Sequence, residues 1–396
     1  PRAMDRFDKQ LEDRKLSRKV VASSDGVRLP LYQLSESGER RLLVAHATGF
    51  NARTYLPLTD RLSGFHSFGA DLRGHGDASS PDGDYAWRGF GEDILNVVDA
   101  LPDGAPPKLY GFGHSKGGAS LLMAEIERPG TFEALFLFEP IVAPTEVRES
   151  SRKHNGESPL AASARRRRSL FESRSEAYDN FRSKAPMSGF HPESVDAYVR
   201  YAFTDVPGSG IELKLPGPEE AQVYNLSIGH ETYERLGEVH CPVLVAFGAA
   251  AHPGGPASWA PAIARQMPRG SALEMPTVSH LGPFEDPDQP FILKGRNRFG
   301  NVQAWVGPDE DFPDTTNANA AIEFLQQDHD KPFFMVYGLW RPHSPYTSPK
   351  RFFDQYEGQA FPPPAAYRED DLEDVPPTGR AFADGLRNML DEDGMV

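Results

Sequence analysis

Apolar and polar positions fall into two regimes along this chain. Short, unbroken apolar runs recur: Arg41-Leu42-Leu43-Val44-Ala45, Leu109 to Phe112, Ala134-Leu135-Phe136-Leu137-Phe138 and Val243-Leu244-Val245-Ala246-Phe247. Runs of that length without alternation predict strands buried on both faces. Further strands are expected around His66 to Ala70 and over Ser271 to Met275. Between the runs, Trp87 to Leu101 and Ser258 to Gln266 carry helical periodicity. Strands alternating with helices predict a largely parallel sheet with helices on both faces, the α/β class. Ahead of this, Lys19 to Leu34 alternates as two strands around Ser24-Asp25-Gly26. From about Val142 to Leu236 the apolar runs give way to charged and aromatic segments such as Arg166 to Ala177 and Glu193 to Phe203. These predict helices, and so a helical insertion within the sheet domain.

One strand end carries chemistry. The run at Leu109 rises into Gly113-His114-Ser115-Lys116-Gly117, followed by the helix-compatible Gly118-Ala119-Ser120-Leu121-Leu122. The pattern G-x-S-x-G between a strand and a helix describes a sharp elbow that lifts a serine hydroxyl above the sheet. The glycines are needed where side chains would strike neighbouring backbone. The competing reading is a glycine-rich turn with a bystander serine.

Composition narrows the class. At 396 residues, 39% of them hydrophobic, the chain is long enough for two domains, or for one with an insertion and an extension. A formal net charge of −15 opposes a nucleic-acid or anionic-membrane surface. The basic run Arg165-Arg166-Arg167-Arg168 reads as a solvated helix face. Cys241, the single cysteine, rules out an intrachain disulfide and a thiolate metal cluster and reads as a small buried hydrophobe. No apolar run is long enough to span a bilayer, and the charged start Pro1 to Arg6 leads into no signal-type core, so a cytoplasmic protein is expected.

His46 to Phe50, Asp71 to Gly76, Gly113 to Gly117, and His280 followed by Glu285-Asp286-Pro287 occur in that order, each at a strand end. In these residues the chain, over about 19–290, resembles the capped serine hydrolases of the α/β-hydrolase superfamily. The resemblance implies an eight-stranded type of sheet, with a core over 19–142 and 237–290 and a cap over 143–236. It also implies hydrolysis of an ester-like bond, without naming the substrate. His280, after the last strand, is the candidate base for Ser115. The acid departs from the commonest pattern: Gly248-Ala249-Ala250-Ala251-His252 follows the strand where many relatives place an aspartate. Some families carry the acid after the preceding strand instead. Glu139 stands there, about two dozen residues beyond Ser115, and is the preferred acid. The alternative is a structural glutamate, leaving a dyad or an inactive chain.

The oxyanion donors implied by the resemblance are the backbone N–H groups of Lys116 and Thr48. The Lys116 ammonium is expected to reach solvent, or else to steer an anionic substrate. Asp71 and Arg73 are expected to brace the elbow. Carboxylic esters or lactones of small to medium size are the expected substrates, with no metal or organic cofactor, and the oligomeric state stays open. The alternatives are a catalytically inactive binding protein and a lyase on the same fold.

After Pro290 the composition shifts. From about 298 to 386 the chain resembles the middle of a type I sulfatase. The carrying residues are Ala320-Ala321-Ile322-Glu323-Phe324-Leu325, Lys331-Pro332-Phe333-Phe334-Met335-Val336 and Arg341-Pro342-His343-Ser344-Pro345-Tyr346. No C/S-x-P-x-R motif accompanies them, so no sulfatase activity is expected and His343 is a bystander. A helix is expected over Ala318 to Gln327, a strand over Phe333 to Gly338, and loose chain after about Phe361. The segment 291–396 is expected to be partly ordered at best.

Overall fold

The computed structural model describes residues 16–288 apart from 37, 39, 63, 103–108, 153–155, 250–254 and 276. Beyond them it describes 302–305, 309, 312–329, 331–339, 346–353 and 355. The chain divides into two units, Pro1–Ile292 and Leu293–Val396.

The first unit is built on β1 (Arg18–Ala22), β2 (Arg28–Gln33), β3 (Arg40–Ala45), β4 (Phe65–Ala70), β5 (Leu109–His114), β6 (Ala134–Phe138), β10 (Val243–Gly248) and β11 (Gly270–Met275). They form one eight-stranded sheet in the order β1-β2-β4-β3-β5-β6-β10-β11. From β4 to β11 neighbouring strands run parallel, whereas β2 is antiparallel to both β1 and β4. The β1–β2 turn passes through Asp25 and Gly26, both at positive φ, as its sequence predicts.

Side chains alternate across each central strand, which sends neighbours to opposite layers. Leu43, Ala45, Leu135 and Leu137 join one core, with α2 (Arg88–Asp99), α3 (Lys116–Glu127) and α9 (Pro256–Gln266). Leu42, Val44, Phe112, Phe136 and Phe138 join the other, under the insertion. Both faces are thus apolar, which is why the central strands read as unbroken runs. Helix α3 is buried from Lys116 to Ile126. Its small residues Gly117, Gly118, Ala119 and Ser120 let it lie close on β3 and β5.

Between β6 and β10 lie α4 (Thr145–Arg152), α5 (Pro159–Arg166), α6 (Arg174–Arg182), α7 (Pro192–Tyr201) and α8 (Gly217–Leu226). The insertion is not purely helical, as its charged sequence suggests. Strands β7 (Leu170–Phe171), β8 (Phe203–Val206) and β9 (Gly210–Leu213) form an antiparallel sheet in the order β7-β9-β8. β7 divides the helix expected over Arg166 to Ala177. The interruption falls at Ser173, whose side chain accepts from the Glu176 N–H and starts α6 anew.

In the second unit α11 (Pro313–Leu325) begins and ends earlier than expected, because Pro313 fits the first helical turn. The strand expected over Phe333 to Gly338 does not form: 332–339 has no regular structure, and Phe334 and Val336 are exposed. The one ladder described in this unit pairs Val302–Trp305 with Tyr346–Pro349 in parallel. His343 and the residues after Phe361 lie outside the described residues.

Candidate active site

Ser115 stands between β5 and α3 with φ 55 and ψ −116. A non-glycine residue held at positive φ costs on the order of 1–3 kcal/mol and persists only where its surroundings over-determine it. Here the Ser115 N–H donates to the Phe138 carbonyl at 2.9 Å, while the Ser115 carbonyl accepts from Ile141 and Gly118, each at 3.1 Å. The elbow glycines have no room for side chains. A β-carbon on Gly117 would lie 2.0 Å from the Ala45 carbonyl oxygen, and one on Gly113 would lie 2.6 Å from the Gly118 Cα.

His280, from the loop after β11, brings Nε2 to 3.1 Å from Ser115 Oγ and Nδ1 to 2.7 Å from Glu139 Oε2. Glu139 ends β6, also at positive φ (43), with its N–H donating to Ala246 O at 2.9 Å. Its carboxyl is fully buried, and Oε1 accepts from the Gly248 N–H at 2.9 Å. Each carboxyl oxygen therefore has a donor, which offsets the cost of burying the group. The imidazole is held with Nδ1–H toward the carboxylate and Nε2 free to accept from the serine. The three sequence candidates Ser115, His280 and Glu139 meet in one hydrogen-bonded line.

A second line braces the first, and it was not legible in the sequence. The Ala47 N–H donates to the Tyr55 hydroxyl at 3.0 Å, and that hydroxyl lies 2.8 Å from His114 Nδ1. His114 Nε2 lies 2.8 Å from the His280 carbonyl. A carbonyl only accepts, so Nε2 carries the proton, Nδ1 accepts and the tyrosine donates. Burial holds His114 well below the usual histidine range, opposing a second proton. His114 thus spends both ring nitrogens away from the serine and ties the loop after β3 to the loop carrying His280. Tyr55 sits in a short 3-10 turn, Ala52–Tyr55, that carries no pattern of its own.

His46 shapes the loop after β3. Its Nδ1–H donates to Ala47 O at 2.8 Å, and Nε2 accepts from the Leu72 N–H at 2.9 Å. The backbone N–H groups of Thr48 and Lys116 donate to no protein acceptor among the described residues.

The Lys116 side chain overturns both of its expected roles. It neither reaches solvent nor faces a substrate: it is fully buried, with Nζ 4.3 Å from the Phe90 ring centroid and no hydrogen-bond partner. Burial drives its pKa well below the usual lysine value, which disfavours the charged form. Asp71 and Arg73 brace neighbouring loops more than the elbow. Asp71 accepts from the N–H groups of Ala52 and Asp77, at 2.9 and 2.8 Å. Arg73 is enclosed completely, pairing with Asp93 at 2.8 Å and Asp25 at 2.9 Å. Beside the site, Phe50 stacks on Phe284 at 4.4 Å between centroids, and Phe190 of the insertion lies 5.3 Å from Phe284. These rings form an apolar wall.

A model of the alpha/beta hydrolase family matches residues 42–292. The chain belongs to this family. Over 178 residues it is 27% identical to the type I acyl-CoA thioesterase mpaH of Penicillium brevicompactum, a match covering 42% of this chain and 40% of that enzyme. Over 118 residues it is 31% identical to a sulfatase of Formosa agariphila, covering 27% of this chain and 23% of the sulfatase. The chain therefore spans less than half the length of these curated relatives. Among solved structures, the peroxisomal alpha-beta-hydrolase Lpx1 of Saccharomyces cerevisiae superposes with a TM-score of 0.57 at 17% identity, covering 88% of this chain and 99% of that one. E-2-(acetamidomethylene)succinate hydrolase gives 0.57 at 20% identity over 70% and 96%. At such identities the likeness is one of fold. The family match ends where the first unit ends, at residue 292, and the chain carries a sulfatase-like fragment besides its hydrolase domain.

Proposed function

We propose that the chain is a serine hydrolase that cleaves carboxylic esters, thioesters among them, through an acyl-enzyme. The observation that carries this reading is the line from Ser115 Oγ through His280 to Glu139. His280 Nε2 takes the hydroxyl proton as Oγ attacks the carbonyl carbon, while Glu139 stabilises the imidazolium and keeps its tautomer. The negative oxygen turns toward the free N–H groups of Lys116 and Thr48. His280 then gives its proton to the leaving alcohol or thiol, and water repeats the sequence on the acyl-enzyme. The thioester arm draws support from the thioesterase relative.

The insertion would act as a cap. It meets the core through Lys214–Asp77 at 2.6 Å and through Arg53, whose guanidinium lies 4.4 Å from the Tyr32 ring and 4.5 Å from Tyr201. The wall of Phe50, Phe190 and Phe284 suits an apolar acyl or alcohol group of small to medium size.

The test compares p-nitrophenyl butyrate and butyryl-CoA hydrolysis by the full chain, Ser115→Ala and Glu139→Gln, together with labelling by a fluorophosphonate. Turnover and labelling lost with Ser115→Ala are expected. A parent chain that neither turns over nor labels would leave a binding protein on a hydrolase fold.

A further inference from the structure

Glu285-Asp286-Pro287 follows His280 in the sequence and has no part in the line from Ser115 to Glu139. Its first residue faces the loop that carries the base. β11 ends at Met275 and the short helix Gly282–Glu285 begins after Leu281, so His280 stands on irregular chain between the two. A side chain on a loop is held less closely than one on a strand or helix. Two ties already described act on His280 itself: its Nδ1 lies on Glu139 and its carbonyl on His114 Nε2.

Glu285 holds the chain on either side. The half-buried carboxylate reaches back from the end of the short helix to Ser279, the residue before the base. The Ser279 N–H donates to Oε2 at 2.8 Å, and the Ser279 hydroxyl donates to Oε1. That hydroxyl accepts in turn from the Leu281 N–H at 3.2 Å, while the Ser279 carbonyl accepts from the Gly282 N–H at 3.0 Å. The Leu281 carbonyl accepts from the Glu285 N–H at 3.2 Å, which closes the ring. His280 is the middle residue of a clasp whose two neighbours are both tied. Both Ser279 groups that meet Glu285 are donors, and a carboxylate accepts on two oxygens at once. Its charge strengthens both bonds. The clasp is seated on β6: a β-carbon on Gly282 would lie 2.9 Å from Phe138 Cζ, and Phe138 precedes Glu139.

We infer that Glu285 is a positioning residue for the base: through Ser279 it sets the His280 ring at the distance from Ser115 Oγ at which a proton can pass. This rests on the hydrolase reading above. Glu285 acts on the reaction through the chain that carries His280, and a misplacement of about 1 Å in a reacting group costs on the order of 100-fold in rate.

The test uses the full chain as parent, Glu285→Ala, Glu285→Gln and Ser279→Ala, each at a temperature where circular dichroism shows it folded. Turnover of p-nitrophenyl butyrate is read as kcat and KM. The imidazole N–H proton of His280 is followed by nuclear magnetic resonance and assigned by its absence in His280→Gln. Glu285→Ala is expected to lower kcat roughly 10- to 100-fold with a smaller change in KM, and to move that proton upfield as its bond to Glu139 loosens. A glutamine still accepts from the Ser279 N–H and can donate to the hydroxyl oxygen, so Glu285→Gln should recover part of the loss. Ser279→Ala keeps the N–H bond and should fall between parent and Glu285→Ala. A parent-like kcat with an unmoved proton in Glu285→Ala overturns the inference. So does a loss in Glu285→Ala that the glutamine does not recover and Ser279→Ala does not share, because Glu285 would then serve the fold alone. An inert parent whose proton still moves in Glu285→Ala would remove the hydrolase reading and leave the clasp in place.

Discussion

At the scale of residues, the position of the acid decides what the site can do. Glu139 holds His280 from the end of β6, and its buried carboxyl is satisfied by one imidazole and one backbone N–H. Glu139→Gln keeps the shape and removes the charge. It should leave the fold intact by circular dichroism and lower kcat by roughly 10²- to 10⁴-fold, as loss of the charged orienting partner does in related triads. Lys116 makes a different forecast. Its amine is confined beside Phe90 without a hydrogen bond, where burial disfavours the charge that it carries freely in the unfolded chain. Folding therefore costs free energy at this position, whether the amine stays charged or sheds its proton. Lys116→Met should raise stability by about 1–4 kcal/mol, the range seen when buried ion pairs are replaced by apolar residues of similar volume, read as a higher Tm at pH 7. Ser115, His280 and Glu139 were legible because each ends or follows a strand recognisable by pattern. Lys116 was misread because a five-residue turn shows its residue type but not which way its side chain turns.

At the scale of elements, the site is a matter of how strand ends are tied together. The chain of groups from Ala47 N–H through Tyr55 and His114 to the His280 carbonyl joins three loops. Tyr55→Phe leaves the Ala47 donor and the His114 acceptor buried and unmatched. It should cost about 1–3 kcal/mol in denaturant melts and lower kcat more than it raises KM, since the oxyanion loop loosens while the aromatic wall stays. The strands were readable in sequence because burial on both faces makes them uniformly apolar. The insertion was readable as an interruption but not in detail. β7 and β8 are two and four residues long, too short to show alternation. The missing strand over 333–338 errs the other way. Its apolar run comes from a sulfatase-like fragment and finds no partner strand among the described residues.

At the scale of the whole molecule, buried histidines set the response to acid. Burial holds His46, His75 and His114 well below the ordinary histidine range and pulls His230 down to about 4. The folded chain keeps them neutral, while the unfolded chain takes up protons near pH 6.5. The unfolded state thus binds more protons, so stability is complete above about pH 6.5 and is lost as pH falls toward the folded values. The slope is about 1.4 kcal/mol per pH unit for each histidine. Asp71, Glu125 and Glu220, whose carboxyls burial raises, offset part of this. Tm should drop between pH 6.5 and 5, and His230→Gln should make that drop shallower. No helix among the described residues is long and apolar enough to cross a membrane. Among those residues no three His, Cys, Asp or Glu side chains cluster as a metal ligand set. With no C/S-x-P-x-R motif in the sequence, the chain should fail to hydrolyse 4-nitrophenyl sulfate with calcium or magnesium supplied.

The place of the proposed acid, just after β6, has a consequence for how such a chain can diverge. Many relatives anchor a reactive group just after the strand that corresponds to β10, which restricts that loop's length and composition. Here the strand contributes only a peptide N–H, from Gly248, a residue kept small because a β-carbon would lie 2.1 Å from the Val278 carbonyl oxygen. The loop between Gly248 and α9 carries none of the three proposed catalytic residues. Foreign sequence spliced in beyond Gly248, by genetic drift or by an engineer, should therefore leave hydrolysis intact so long as the Gly248 N–H stays on Glu139.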